Sequence, residues 1–100
     1  MNEIREKMLI LGSTGSIGEQ ALDVARATST EVVALCAGKN YKRVAEQVRQ
    51  TGARFAAMFD EDAAALLALE LSDTDVRVFA GVDGICAMIG ECGASFAVNS

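Results

Sequence analysis

The stretch LILGSTGSIGEQALDVAR, Leu9 to Arg26, sets glycines three apart at Gly12, Gly15 and Gly18. Met8 to Leu11 is a short, continuous apolar run of the kind a buried strand shows. Beyond the glycines, Ile17, Ala21, Val24, Ala25 and Thr28 recur at helical spacing, which predicts a helix from Ser16 to about Ala27. A strand, a glycine-rich turn and an immediate helix can serve two ends. The turn can simply pack helix against strand, or it can hold an anion against the open N-terminus of the helix.

Outward from that stretch, the same two patterns alternate. Val32 to Ala37 reads as a second buried strand, β-branched at its start. Tyr41, Val44, Ala45 and Val48 form the next helical stripe, with Lys42, Arg43, Glu46 and Arg49 on the wet side. Gly52 stops that helix, and Phe55 to Phe59 reads as a third strand. Asp60 can cap an alanine- and leucine-rich helix running to about Leu71. Val76 to Ala80 is a fourth strand. Asp83 can cap a helix that buries Ile85, Met88, Ile89 and Cys92, and Phe96 to Val98 begins a fifth strand. Strict alternation over short connections predicts an α/β fold: a Rossmann-like doubly wound parallel sheet with helices on both faces.

In such a sheet the first strand-to-helix turn is the usual phosphate site. Glycine lets a diphosphate approach the backbone and permits the positive φ angles expected here, at Gly15 among others. Ser13, Thr14 and Ser16 add hydroxyls that can donate to phosphate oxygens. The spacing GxxGxxG differs by one residue from the common dinucleotide fingerprint, and no Gly-Lys-Ser follows, which excludes a nucleotide-triphosphate loop. The end of the second strand sharpens the reading. NAD-binding domains carry an acid there to take the ribose hydroxyls. This chain has LCAGKN, Leu35 to Asn40, with Lys39 and Asn40 in that place and Glu31 at the opposite end of the strand. A cation there suits the extra 2′-phosphate of NADP; an ordinary solvated lysine is the plainer alternative.

The remainder of the composition mostly excludes. The chain has 100 residues, 51% hydrophobic, with a formal net charge of -5, which is globular and argues against nucleic acid or an anionic membrane as partner. The three cysteines, Cys36, Cys86 and Cys92, match no zinc or redox spacing and read as buried, reduced thiols. There is no histidine and no nucleophile–base pair, and Asp60, Glu61 and Asp62 read as a helix start rather than a metal site. The charged N-terminus and its four-residue apolar run form neither a signal peptide nor a membrane span, which predicts a cytoplasmic chain.

ILGSTGSIG (Ile10 to Gly18), ALDVAR (Ala21 to Arg26) and VVALCAGKN (Val32 to Asn40), in that order, resemble the N-terminal part of the 1-deoxy-D-xylulose 5-phosphate reductoisomerase family. The resemblance implies an NADPH-dependent oxidoreductase of isoprenoid precursor synthesis. That enzyme isomerises and reduces 1-deoxy-D-xylulose 5-phosphate to 2-C-methyl-D-erythritol 4-phosphate, uses a divalent metal (Mg or Mn) and forms a homodimer. It implies that Thr14, Gly15, Ser16 and Ile17 hold the NADPH diphosphate and that Gly38, Lys39 and Asn40 surround the 2′-phosphate. Residues 1–100 are then an N-terminal dinucleotide-binding domain, expected to be the front of something longer and inactive alone, with metal and substrate ligands beyond residue 100. Two rivals share the same front half: another NADP-dependent reductase, and a non-catalytic nucleotide-sensing module.

Overall fold

The computed structural model describes residues 5–99. Five strands and four helices alternate: β1 Lys7–Leu11, α1 Ser16–Thr28, β2 Glu31–Ala37, α2 Tyr41–Thr51, β3 Phe55–Met58, α3 Glu61–Glu70, β4 Arg77–Ala80, α4 Gly81–Glu91 and β5 Phe96–Asn99. The sheet order is β4-β3-β2-β1-β5, with every neighbouring pair parallel. The chain steps outward from β1 to β4 and then crosses back to lay β5 on the other side of β1. That reversal opens a crevice at the carboxyl end of β1, where sheets of this kind bind ligands.

Handedness places the helices. Three successive right-handed crossovers put α1, α2 and α3 on one face, and the return crossover puts α4 on the other. The first face is the larger core: Ile10, Leu35 and Met58 of the strands meet Leu22, Val44, Val48, Leu67 and Leu71. On the second face Leu9, Val33, Ala34, Cys36 and Ala57 meet Met88 of α4 and Cys92 at its C-cap. Strand β2 serves both faces with one extra residue. Met8 stands opposite Val32 but Leu9 stands opposite Ala34, so Val33 and Ala34 share a face across this bulge.

The predicted elements all form, with local corrections. The buried stripe of α1 is Gly18, Ala21, Leu22 and Ala25, whereas Ile17 and Val24 are each 56% exposed. The stripe is turned because Gly18 must touch the turn below it. Helix α4 starts at Gly81 with Ala80 at its cap, so Asp83 lies inside the first turn and does not cap it. Ile89 is exposed, leaving Met88 and Cys92 as the anchors of α4. Asp60 caps α3 as predicted, its Oδ2 accepting from Ala63 N at 2.9 Å. Ser100, the end of the FAVNS segment, lies outside the described residues.

Candidate functional site

The turn between β1 and α1 is pinned from below and from the side. Gly12 N and Ser13 N both donate to Cys36 O, at 2.8 and 2.9 Å, which ties the turn to the end of β2. Gly15 N closes it by donating to Gly12 O at 3.3 Å. Gln47 on α2 reaches in, its Nε2 donating to Ser13 O at 2.8 Å.

The three glycines divide the work. Gly12 has φ 88°, a left-handed conformation that glycine adopts without strain. Gly18 permits contact: a Cβ there would sit 2.2 Å from Gly12 O and 2.7 Å from Ser13 Cα. Gly15, at the cap of α1, has φ -82° and is exposed. The positive φ expected at Gly15 is therefore found at Gly12, and what Gly15 provides is an open surface.

Helix α1 begins its hydrogen-bond ladder with Glu19 N donating to Gly15 O at 2.9 Å. The N–H groups of Ser16, Ile17 and Gly18 precede that ladder, at the positive end of the helix dipole, an arrangement that suits an anion. Thr14 is half-buried and Ser16 exposed, so both can offer hydroxyls. Ser13 cannot: it is fully buried, tucked under the turn by Cys36 and Gln47.

The second turn, Gly38 to Asn40, lies beside the first at the end of β2. Asp60 N donates to Gly38 O at 3.1 Å, and Tyr41 N donates to Lys39 O at 2.7 Å. A Cβ on Gly38 would meet nothing within 4 Å, so the space above it is open. Lys39 is exposed, and its ammonium makes no hydrogen bond or ion pair among the described residues. Asn40 Oδ1 caps α2 by accepting from Arg43 N at 3.2 Å, which leaves the amide Nδ2 for a ligand. The turn after β2 carries no acid of its own, and Asp60, which reaches Gly38 through its backbone, has its carboxylate engaged in capping α3. Glu31 is at the far end, opposite Lys7.

One acid does lie close to the glycine turn. Glu19, in the first turn of α1, would repel an anion, and α2 neutralises it. Arg43 grips it with two donors, Nε to Oε2 at 2.6 Å and Nη2 to Oε1 at 2.8 Å, while its Nη1 reaches Glu46 at 3.0 Å. Those hydrogen bonds hold the Glu19 carboxyl below its ordinary range, with burial opposing and the Gln47 amide adding a smaller push the same way. Sequence reasoning missed Glu19, Arg43 and Gln47 as neighbours of the site. Gln47 left a signal: a polar residue on the apolar stripe of Val44, Ala45 and Val48.

Other candidates recede. Among the described residues no cluster of His, Cys, Asp or Glu could hold a metal ion. Cys36 and Cys92 are buried, but Cys86 is exposed, which corrects the expectation of three buried thiols. Burial pushes the Cys36 thiol up. A cleft of about 840 Å³ opens at the opposite edge of the sheet, by Arg49, Arg54 and Arg77. Arg49 there is already paired with Asp73, and Arg77 with Glu91. No helix among the described residues is long and apolar enough to cross a membrane.

A doubly wound parallel sheet with a glycine turn at its switch point is a Rossmann-like domain of the nucleotide-binding class. The sequence profile of 1-deoxy-D-xylulose 5-phosphate reductoisomerase matches residues 8–100. The chain belongs to the 1-deoxy-D-xylulose 5-phosphate reductoisomerase family. It is 44% identical over 90 residues to the reductoisomerase of Agathobacter rectalis, covering 87% of this chain and 24% of that one. Against the Acetivibrio thermocellus enzyme it is 46% identical over 79 residues, 79% of this chain and 21% of that one. Among solved structures, the Zymomonas mobilis reductoisomerase in complex with NADPH superposes with a TM-score of 0.85 at 29% identity, covering 94% of this chain and 25% of that one. The chain thus spans about a quarter of the length of its relatives.

Proposed function

We propose that this chain is the part of a 1-deoxy-D-xylulose 5-phosphate reductoisomerase that holds NADPH. The hydroxyls of Thr14 and Ser16, the N–H groups of Ser16 and Ile17, and the open backbone at Gly15 take the diphosphate. Gly38, Lys39 and Asn40 take the 2′-phosphate, Lys39 by charge and the other two by open space and a free amide. The observation that carries the reading is one edge of the sheet. Lys39, whose ammonium has no hydrogen bond or ion pair among the described residues, and an open Gly38 stand beside the free N-terminus of α1, and the segment Leu35 to Asn40 that ends β2 carries no acid.

When bound, NADPH supplies the hydride; the chain's own residues bind it, aim it and keep repelling charge away. The Mg or Mn ion and the residues for 1-deoxy-D-xylulose 5-phosphate belong to parts of the enzyme outside this chain, which alone is expected to turn over no substrate. The assembly is the homodimer of the family, and free thiols suit the reducing cytoplasm. The test is a titration of the purified chain with NADPH and with NADH. Tighter binding of NADPH, by about tenfold for one phosphate–lysine contact, is the expected result. Equal affinities would sink the assignment of Lys39.

A further inference from the structure

We infer that Gln47 is a positioning residue for the nucleotide: it fixes the orientation of the phosphate turn. The inference rests on the nucleotide reading above and deepens it. Helix α2 starts at the second turn, where Asn40 caps it, and one helical turn separates Arg43 from Gln47 on the side facing α1. Those two side chains are the links from α2 to the first turn. Arg43 holds Glu19 of α1, and Gln47 Nε2 holds Ser13 O at 2.8 Å. Ser13 lies under the turn, and its N–H is already fixed to Cys36 O at 2.9 Å. With both its N–H and its carbonyl held, the two peptide units flanking Ser13, the second of which leads into Thr14, are fixed in orientation.

Stability alone does not explain this residue. Gln47 is fully buried, and its Oε1 finds no partner among the described residues; nor does the buried Ser13 Oγ beside it. A buried acceptor left unpaired is destabilising. An apolar side chain on the stripe of Val44, Ala45 and Val48 would spare the orphaned Oε1 but release the Ser13 carbonyl. A half-satisfied amide kept in a core fits a residue that fixes the geometry of a site.

Both NADPH and NADH carry the diphosphate, so a shifted turn must weaken both by the same factor. Gln47→Leu is expected to weaken each about tenfold and leave their ratio unchanged. Val44→Ala, a core truncation on the same helix, serves as the control for stability. It should lower the melting temperature without changing either affinity. If Gln47→Leu binds as tightly as the unaltered chain, or if Val44→Ala weakens binding as much, the inference falls. Gln47→Met keeps the length but removes the donor without adding charge, and must show the same loss should the leucine variant not fold. The unaltered chain gives a measurement free of folding defects. The side-chain amide protons of Gln47 should exchange slowly by NMR and shift when NADPH is added; no shift on saturation overturns the proposal. Should the unaltered chain bind neither nucleotide, the functional reading itself has failed, a result distinct from all of these.

Discussion

The two turns at the carboxyl edge are neighbours built on opposite plans. The turn from Gly12 to Gly18 is made of backbone. Its shape is fixed by a left-handed glycine, by a glycine in contact with the chain below, and by hydrogen bonds from β2 and α2. The turn from Gly38 to Asn40 is made of side chains and open space, with one exposed cation and one helix cap. On the proposed reading, the first plan would recognise any diphosphate and the second would tell one nucleotide from another. Substitutions should therefore separate cleanly: affinity for both nucleotides in the first turn, discrimination in the second.

Gly18→Val breaks the first turn hardest. Its Cβ would fall 2.2 Å from Gly12 O, and the obstacle is backbone, which cannot swing aside. A loss of about 3 kcal/mol or more in unfolding free energy is expected, with all nucleotide binding gone. Chemical denaturation checks it, and a variant of unaltered stability would mean that α1 is not seated where the fold places it.

Gly15→Val separates shape from stability within the same turn. The residue is exposed and its φ of -82° suits any amino acid, so unfolding should change by less than about 1 kcal/mol. The added side chain would nonetheless fill the space a diphosphate needs, and binding of both nucleotides should drop below detection in a calorimetric titration. Normal binding would make the turn a packing device only.

Lys39→Glu tests the second plan. NADPH should weaken by about tenfold or more, because a phosphate contact is replaced by repulsion, while NADH changes little. Parallel loss of both would show that the two turns do not divide the task.

The contrast also explains what the sequence disclosed. The alternation of elements was legible because each strand is an unbroken apolar run and each helix a separate stripe. The turn was legible because glycine spacing is a local signal. The position of Lys39 just past β2 was legible because the end of that strand is a fixed place in the fold. What stayed hidden is tertiary. Nothing local shows that Arg43 meets Glu19, or that Gln47 meets Ser13 across 34 positions. The period of α1 was misjudged for a related reason. Ile17 and Val24 are the more hydrophobic choices, yet the contact made by Gly18 decides which side faces the sheet. Asp83 looked like a cap because a carboxylate suits a first turn, and it occupies that first turn without being the cap.

The smallest effect joins the two turns. Arg43 stands on the helix of the second turn and grips Glu19 on the helix of the first, with both side chains about one-third exposed. A bidentate pair so placed contributes about 1 kcal/mol at most, because solvent screens it. Folding lowers the carboxyl's pKa below its ordinary value of 4.5, so the folded state binds this proton less readily than the unfolded chain does. The stabilisation is then present in full at neutral pH. It is lost as pH falls from about 4.5 through the lowered value, where the folded carboxyl also protonates. Glu19→Gln removes the charge at every pH. The unaltered chain should therefore be more stable than the variant near pH 7, and the two should converge in acid. Thermal unfolding across that range, at low salt, measures the gap. A gap that stays constant down to pH 3 would mean that the pair contributes packing and not charge.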